Sequence, residues 1–186
     1  DRETGDWFTA LGRCVVNATG VWVDGLRRLD DPAAADIVSP SQGVHLVVDR
    51  EAFPSPSAML VPKTADGRVL FAVPWLGKVI LGTTDTPRHD TPLDPRPLPD
   101  EIDFILAEAG RRLAAPLGRS SIRSAWAGLR PLVKPATGSG DTKRMSREHL
   151  VEVSRHGLVT VTGGKWTTYR AMAEDVLAAC FAHGLL

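Results

Sequence analysis

Two short apolar runs flank a turn in Val69-Leu70-Phe71-Ala72-Val73-Pro74-Trp75-Leu76-Gly77-Lys78-Val79-Ile80-Leu81-Gly82. Runs of β-branched and aromatic residues bounded by proline and glycine are typical of strands, so we predict strands over Val69–Val73 and Lys78–Leu81. Pro74 to Gly77 supplies the turn. Because so short a connection has no room for a crossover helix, the two strands are expected to be antiparallel.

Further strand signals lie upstream of this hairpin. Val44–Val48 and Ala58–Val61 are the next predicted strands, and Asp66-Gly67 is a strong hairpin signal after the second of them. The stretch from Asp30 to Pro40 is rich in proline, alanine and aspartate, and it predicts a loop. Together these runs indicate an antiparallel sheet built from short connections.

The clearest helix follows a proline-rich loop over Thr86 to Pro99. We predict this helix from Asp100 to Leu113, with Asp100 as its N-cap. Its apolar residues recur at helical spacing, namely Ile102, Ile105, Leu106, Ala109 and Leu113. A further strand is predicted over Ile122–Leu129.

The N-terminal end of the chain combines a strand, small residues and a helix. We predict a buried strand over Arg13–Asn17, a tight turn at Ala18-Thr19-Gly20 and a helix over Val21–Leu29. The residues of that helix expected to face inward are Trp22, Gly25 and Leu26.

The C-terminal end has the same order of elements. A hairpin is predicted over Leu150–Val153 and Leu158–Thr162, and Gly163-Gly164 ends its second strand. A final helix is predicted over Thr168–Phe181. The residues expected on its buried face are Met172, Val176, Ala179 and Cys180.

These elements predict an α+β fold, a mainly antiparallel mixed sheet with flanking helices whose two end pieces belong to a different sheet. We expect the sheet from His45 to Leu81 to be extended by the strands near Ile122–Leu129 and Leu150–Thr162. The helix that begins at Asp100 should pack on one face of it.

The two ends of the chain are expected to meet. Both the Arg13–Asn17 and the Leu158–Thr162 strands are apolar, and both end in small residues. We therefore expect them to lie near each other, with Gly20 and Gly164 opening toward a common cleft.

Composition excludes some functions. Lysine plus arginine equals aspartate plus glutamate, at 22 each, and a formal charge of zero argues against general nucleic-acid binding. The two cysteines, Cys14 and Cys180, lie in apolar stretches, and we interpret them as buried thiols rather than a disulfide or metal pair. No Cys-x-x-Cys or paired histidine motif predicts a metal site.

Two glycine-containing turns are candidate sites for a ligand. Ala18-Thr19-Gly20 follows a buried strand, where small residues let a planar ligand approach the backbone, although a simple tight turn explains it equally well. In Gly163-Gly164-Lys165-Trp166-Thr167, glycines precede a helix whose N–H groups favour negative charge. A strand–helix turn with threonine capping is the alternative there.

Isolated polar residues in apolar surroundings are the other candidates. His45 lies in the Val44–Val48 strand, where a structural histidine is the commoner case. Arg130, after Gly128-Leu129, needs an anionic or hydrogen-bonding partner, which a protein carboxylate could also supply. Gly82-Thr83-Thr84-Asp85 is explained by a capped turn, and Arg147 by a place in a surface loop.

Taken together and in this order, these motifs resemble one family. The stretches that carry the resemblance are Val16-Asn17-Ala18-Thr19-Gly20-Val21-Trp22, His45 in its strand, Val73-Pro74-Trp75, Leu81-Gly82-Thr83-Thr84-Asp85, Gly128-Leu129-Arg130-Pro131-Leu132, Ser146-Arg147-Glu148-His149 and Gly163-Gly164-Lys165-Trp166-Thr167-Thr168-Tyr169-Arg170. They are similar to the FAD-dependent glycerol-3-phosphate dehydrogenases, over nearly the whole chain.

The resemblance implies oxidation of sn-glycerol 3-phosphate to dihydroxyacetone phosphate, with hydride passing to FAD and electrons to a membrane quinone. It implies that His45, Arg130 and Lys165 act in catalysis and that Arg130, Arg147 and Lys165 bind the substrate. A phosphate dianion calls for arginine and lysine, and a histidine is a reasonable base for the hydroxyl proton. The sequence assigns neither the phosphate nor the C2 oxygen to one particular cation.

The resemblance also implies the residues that contact FAD, largely through backbone. They are Ala18, Thr19, Gly20, Trp22, Gly82, Thr83, Gly163, Gly164, Lys165 and Thr167. It implies three parts: residues 1–26 as an end piece of the FAD-binding domain, 27–156 as the substrate-binding domain, and 157–186 as a returning strand and helix of the FAD-binding domain.

Two departures from the family are small: Val21 stands where proline is usual and Trp166 where leucine is common. The pyrophosphate-binding Gly-x-Gly-x-x-Gly unit is absent, so we expect a fragment that is inactive alone and does not retain FAD tightly. The resemblance implies that the parent attaches peripherally to the cytoplasmic side of the cell membrane, whereas the fragment itself is expected to be soluble.

Two other functions remain open. A flavin-dependent amine or amino-acid oxidase of the same superfamily would bind a substrate carboxylate with one arginine, whereas the cations at 130, 147 and 165 favour phosphate. A non-enzymatic binding module is the second, and a reading frame with no preceding dinucleotide-binding segment would favour it.

Overall fold

The computed structural model describes residues 1, 3–65, 67–113, 116–134 and 148–186. Its strands are β1 (Val15–Asn17), β2 (Val38–Asp49), β3 (Met59–Val61), β4 (Leu70–Trp75), β5 (Lys78–Gly82), β6 (Thr86–Pro87), β7 (Ile122–Val133), β8 (His149–Val153) and β9 (Leu158–Gly163). Its helices are α1 (Val23–Asp30), α2 (Pro99–Gly110) and α3 (Tyr169–Ala182). The predicted Asp66-Gly67 turn lies partly outside the described residues, and Arg147 lies entirely outside them.

The larger sheet has six strands and is antiparallel throughout. Along one edge of β2, β5 pairs with His45–Asp49 and β6 with Ser41 and Gln42. Along the other edge, β7 pairs with β2 from Val38 to Val48, and β4 and β3 continue the sheet beyond β5. The α+β architecture with a mainly antiparallel sheet is therefore confirmed.

One face of this sheet forms the main core. Because side chains alternate along a strand, every second residue of β2 points to the same side. Val44, Leu46 and Val48 are fully buried there with Leu81 of β5. Helix α2 packs Ile105, Leu106 and Ala109 onto the same cluster. The predicted placement of this helix on one face of the sheet is confirmed.

The start of α2 differs from the prediction. The helix begins at Pro99, so Leu98 is the N-cap and Asp100 lies within the first turn. Proline suits the first helical position because it has no N–H to leave unpaired. The Leu98 N–H donates to Glu101 Oε2 at 2.9 Å, so the helix start has a carboxylate three residues further on instead of an aspartate cap.

Strand β2 is much longer than predicted. The expected loop from Asp30 to Pro40 ends early, because β2 starts at Val38 rather than Val44. The stretch Ser39-Pro40-Ser41-Gln42-Gly43 has little strand propensity of its own, but β7 pairs with all of it. Tertiary pairing with a strand far away in sequence overrides the local preference.

A second, three-stranded sheet joins the two ends of the chain. Strand β1 runs parallel to β9, with Asn17 opposite Thr160, so the expected approach of the terminal strands is confirmed. Strand β8 pairs with the other edge of β9. The expectation that this hairpin extends the large sheet is wrong, because among the described strands β9 pairs with β1 on one edge and with β8 on the other, which places the hairpin in the smaller sheet.

The inward face of α1 was also predicted wrongly. Val23 and Asp24 are buried, whereas Trp22 and Leu26 are 39% and 37% exposed and Gly25 is exposed. Asp24 faces inward because its carboxylate accepts the N–H groups of Ile37 and Val38 at 3.0 and 3.1 Å. A polar contact at the start of β2 therefore fixes the rotation of this helix.

Helix α3 packs against the smaller sheet. Of its predicted buried face, Val176 and Cys180 are buried, whereas Met172 and Ala179 are half-buried. Both cysteines are free, but they are neighbours: the Cys14 and Cys180 sulfurs are 3.5 Å apart. Burial is the main reason that the pKa of Cys180 is raised, and its contact with Cys14 adds to this. Within the described residues, no helix has the length and apolarity that crossing a bilayer requires.

Candidate active site

The face of the large sheet opposite α2 carries the sequence-predicted polar residues. A row of residues crosses four strands on this face. It consists of Phe71, Gly82, His45 and Trp126, which are paired in that order across β4, β5, β2 and β7. His45 is half-buried, and Trp126 beside it is 42% exposed. A histidine therefore stands in the middle of a sheet face that α2 does not cover.

The ring of His45 is held between its two neighbours in this row. It stacks on Trp126 with ring centroids 5.3 Å apart and an interplanar angle of 16°. On its other side Gly82 leaves the necessary room, because a Cβ there would overlap the imidazole. Burial lowers the pKa of His45 below its ordinary value of 6.5, and the nearby charge of Arg130 lowers it further. The imidazole is therefore neutral at physiological pH.

Arg130 reaches the same place from β7. Its guanidinium lies over Gly43, where any Cβ would collide with it. It donates through Nη1 to the Thr84 carbonyl at 3.1 Å and through Nη2 to Thr83 Oγ1 at 2.9 Å. Both of these acceptors are uncharged, and together they fix the orientation of the guanidinium. The sheet thus presents a fixed cation beside a neutral histidine.

The turn after β1 is organised by a buried asparagine. Asn17 is 1% exposed and donates through Nδ2 to the Val23 carbonyl at 3.0 Å. Its Oδ1 accepts the hydroxyl of Thr19 at 2.7 Å, and Gly20 follows with φ of 62°. Positive φ is easily adopted by glycine, so the asparagine and the glycine together set the shape of the turn.

The turn after β9 is closely packed. Gly163 and Gly164 have φ of 76° and 71°. A Cβ on Gly163 would lie 2.6 Å from the Glu148 carbonyl, and one on Gly164 would lie 2.5 Å from Met172 Sδ. Glycine is therefore required here for both conformation and space. The Gly164 N–H already donates to the Glu148 carbonyl at 3.2 Å, so this N–H helps to build the turn itself.

These two turns line one apolar cleft of about 720 Å³. Its wall includes Val16 and Ala18 from the β1 side and Gly163, Gly164 and Lys165 from the β9 side. A second cavity of about 370 Å³ lies next to Gly163 and Gly164 and is shared by Lys165 and Arg130. The fold therefore brings the two described candidate cations, which are far apart in sequence, to one cavity.

The remaining predicted site residues have separate places. Thr83 and Gly82 lie beside Arg130 and His45 rather than at the apolar cleft. Trp22 Nε1 donates to the Thr91 carbonyl at 2.9 Å, and its ring borders a different cavity. Of the turn Ala18-Thr19-Gly20, Ala18 lines the apolar cleft, whereas Gly20 does not, so the expectation that Gly20 opens toward this cleft is wrong. Thr167 is exposed in the 3₁₀ turn Trp166–Thr168 before α3.

The FAD-dependent oxidoreductase family matches residues 2–170 of this sequence. That match covers most of the 186 residues and includes both glycine turns and the His45–Arg130 face. The chain belongs to this family. The family's enzymes are oxidoreductases, which agrees with a neutral histidine and clustered cations beside an apolar cleft.

Two individual relatives are glycerol-3-phosphate dehydrogenases. The mitochondrial glycerol-3-phosphate dehydrogenase of Macaca fascicularis is 46% identical over 188 residues, covering 100% of this chain and 26% of the relative. The glycerol-3-phosphate dehydrogenase of Bacillus halodurans, solved in complex with FAD, has a TM-score of 0.84 and 38% identity. It covers 100% of this chain, which spans 35% of that protein. The chain thus corresponds to about a quarter to a third of these oxidoreductases.

A more distant solved structure shares only the fold. Glycine oxidase from Bacillus cereus has a TM-score of 0.53 and 19% identity, with 89% of this chain and 42% of that chain covered. Its likeness confirms the arrangement of strands and helices and says nothing about substrate.

Two residues of this candidate site were not predicted from the sequence. Trp126 stacks on His45, and its only local signal is an aromatic residue at an alternating position of a strand. Glu101 is 4% exposed beneath Thr84 and contributes nothing to the apolar periodicity that located α2. A glutamate three residues after Leu98 is the one signal that could have drawn attention to it.

Proposed function

We propose that the full-length flavoprotein containing this chain oxidises sn-glycerol 3-phosphate to dihydroxyacetone phosphate. One observation carries the proposal: the neutral His45 and the cationic Arg130 lie together on the open sheet face, and Lys165 shares a cavity with Arg130. A polyol phosphate offers a hydroxyl proton that His45 can take and a phosphate dianion that Arg130 and Lys165 can bind.

The cations suit a phosphate. Arginine presents a planar fork of donors that fits phosphate oxygens, and lysine adds a compact charge. The Arg130 guanidinium is already oriented by Thr83 and Thr84, so little further ordering is needed when an anion arrives. Arg147 is proposed as a third phosphate or C2-oxygen ligand on the strength of its motif alone.

His45 is proposed as the base that takes the C2 hydroxyl proton. A base must be unprotonated before the reaction, and the lowered pKa of His45 keeps the imidazole neutral. Its stack on Trp126 fixes the ring plane, so its nitrogen has a defined direction. The proton then moves to a ring nitrogen of His45, and a nearby cation stabilises the negative charge that develops on the substrate oxygen.

The two glycine turns fit a bound FAD. Between them lies an apolar cleft whose rim at Ala18, Gly163 and Gly164 has almost no side chains, which suits a flat ring system. We propose that these residues hold the flavin ring against the backbone, with Lys165 at the edge that faces Arg130. When bound, FAD supplies the two-electron acceptor for the substrate hydride.

The test is the substrate preference of the purified full-length flavoprotein. The rate of reduction of bound flavin should be high with sn-glycerol 3-phosphate and negligible with glycine or sarcosine. Reduction by glycine or sarcosine and none by glycerol 3-phosphate would replace the proposal with an amino-acid oxidase. Glycerol without phosphate is the matched control, because it keeps the C2 hydroxyl and removes the dianion.

Electron transfer onward to a quinone completes the proposal. It requires that the full-length protein attach peripherally to a membrane, and we propose the cytoplasmic side of the cell membrane. The curated relative from Macaca fascicularis is named as a mitochondrial protein. Reduction of a soluble quinone analogue by the substrate-reduced enzyme, together with fractionation of membranes, tests both statements.

A further inference from the structure

A buried carboxylate lies directly beneath the open sheet face. Glu101, in the first turn of α2, is 4% exposed. It accepts four hydrogen bonds, from Leu98 N–H and Gln42 Nε2 on one oxygen and from Thr84 Oγ1 and Thr86 Oγ1 on the other, at 2.7–2.9 Å. A buried carboxylate is tolerated only when it is satisfied in this way. Glu101 therefore ties α2 to the segment between β5 and β6.

Thr84 connects this carboxylate to the other face. Its hydroxyl accepts the Val44 N–H at 3.0 Å, which directs the hydroxyl proton toward Glu101 Oε1 at 2.9 Å. Its carbonyl points the opposite way and accepts a hydrogen bond from Arg130 Nη1 at 3.1 Å. Thr84 therefore links Glu101 on the core side of the sheet, through its hydroxyl, to the Arg130 guanidinium on the open side, through its carbonyl.

We propose that Glu101 is a positioning residue for Arg130. It fixes the position of the Thr83–Thr84 segment. In that position the Thr84 carbonyl and the Thr83 hydroxyl accept hydrogen bonds from the Arg130 guanidinium and orient it beside His45. The inference rests on the proposed function for its kinetic consequence, since Arg130 is there proposed to bind the substrate anion. The structural claim, that Glu101 determines the position of the Arg130 guanidinium, does not depend on the proposed function.

Glu101→Gln is the variant that tests this role. Leu98 N–H and Gln42 Nε2 can only donate, so the glutamine must keep its oxygen toward them and turn its NH₂ toward the hydroxyls of Thr84 and Thr86. The Thr84 hydroxyl also accepts the Val44 N–H, so its own proton loses its acceptor, and the segment that orients Arg130 is disturbed. In the full-length flavoprotein we expect the KM for glycerol 3-phosphate to rise about tenfold, with a smaller change in kcat and an unchanged flavin content.

Glu108→Gln is the matched control on the same helix. Glu108 is 2% exposed and also buried on α2, but it bonds Arg111 and Arg112 at 2.6 and 3.3 Å. This variant should lower thermal stability and leave the KM as it is. If Glu101→Gln behaves in the same way, with lower stability and an unaltered KM, Glu101 is merely structural and the inference is wrong.

A second pair of variants provides an independent test in case the Glu101→Gln protein does not fold. Thr84→Val and Thr86→Val each remove one hydroxyl from Glu101 Oε1, at 2.9 and 2.7 Å. Only Thr84 also carries a carbonyl that binds Arg130. We expect the KM to rise in Thr84→Val and to stay constant in Thr86→Val, and equal values for the two would overturn the inference.

A double-mutant cycle separates positioning from general damage. If Glu101 acts through Arg130, adding Glu101→Gln to Arg130→Ala should raise the KM little beyond the single Arg130→Ala variant. Fully additive effects would contradict the inference.

Failure of the proposed function has a different signature. A wild-type protein that does not oxidise glycerol 3-phosphate removes the proposed function and leaves the structural part open to test. A crystal structure of the Glu101→Gln variant then decides it. Loss of the Arg130 contacts with Thr83 and Thr84 supports positioning, and retention of both contacts rejects it.

Discussion

The two faces of the six-stranded sheet are built from alternate residues of the same strands, yet they differ in almost every property. On the α2 face, Val44, Leu46 and Val48 are completely buried. On the opposite face, His45 is half-buried beside an exposed Trp126, and glycines occupy positions 43, 82 and 128. The first face stabilises the fold through buried apolar area, and the second leaves room for the polar side chains that we propose to act on the substrate.

Glycines on the open face provide space for polar side chains. On the open face, Gly43 accommodates the Arg130 guanidinium and Gly82 accommodates the His45 ring. Gly128, which is paired directly with Gly43, has no neighbouring atom within 4 Å of the place that a Cβ would occupy. Glycine at the first two positions therefore creates space for specific polar groups, and four predictions test the difference between the faces.

Leu46→Ala should have the largest effect. Removing a fully buried leucine from the α2 face leaves a cavity and should reduce the free energy of unfolding by about 2–5 kcal/mol. Denaturant unfolding of the purified protein measures this loss. Val47→Ala is the control, because Val47 is the next residue on β2 and half-buried on the open face. A loss from Val47→Ala as large as that from Leu46→Ala would contradict the assignment of the core to the α2 face.

Arg130→Ala should have the next largest effect, and on function rather than stability. Loss of a charge-assisted hydrogen bond to the substrate should raise the barrier for glycerol 3-phosphate oxidation by about 1.5–3 kcal/mol. Steady-state kinetics of the full-length flavoprotein measure kcat/KM, and its flavin absorbance should match the wild type. A variant that loses stability but keeps its relative substrate preference would show that Arg130 has only a structural role.

Gly43→Ala should have an intermediate effect. The added Cβ would displace the Arg130 guanidinium, a flexible group that can swing away, so stability should change little. We expect kcat/KM for glycerol 3-phosphate to fall about tenfold, or roughly 1.4 kcal/mol. Gly128→Ala, the variant of the residue directly opposite, should retain normal kinetics, and a loss of similar size in both variants would argue against a specific role for Gly43.

The pH dependence of stability through His45 should be the smallest effect. Its folded pKa lies below the ordinary 6.5, so in the interval between the two values the unfolded chain binds more protons than the folded one. The contribution of the neutral imidazole is therefore complete above about pH 6.5 and is lost as the pH falls through that interval. His45→Asn should flatten this part of the stability profile, measured by unfolding at about pH 7.5 and pH 5.5. An unchanged slope in the variant would show that His45 does not titrate there.

Much of the fold was predictable because its signals are local. The hairpin around Leu76 and Gly77, the strand through His45 and the two terminal strands each follow from alternation and turn residues within a few positions. The start of β2 at Val38 and the inward face of α1 were not predictable. The first depends on pairing with β7 and the second on hydrogen bonds to Asp24 from the start of β2, and both are contacts between separate elements.

The candidate site shows the same contrast. The residue types at 45, 130 and 165 and the glycines at 163 and 164 could be singled out from motifs, because those motifs are contiguous. Their partners could not, since Trp126 lies beside His45 only through the pairing of β2 with β7. The same holds for Glu101, which comes under Thr84 because α2 packs against the sheet.

The sequence by itself determined the element types, the antiparallel hairpins and the family resemblance, because periodicity, turn chemistry and short motifs are properties of neighbouring residues. Only the tertiary structure decided that β8 joins β9 and β1 rather than the large sheet, and that the Cys14 and Cys180 sulfurs lie 3.5 Å apart. Strand edges and helix faces compete for partners across the whole chain, and that competition is settled by the total burial and hydrogen bonding of the fold rather than by any one segment.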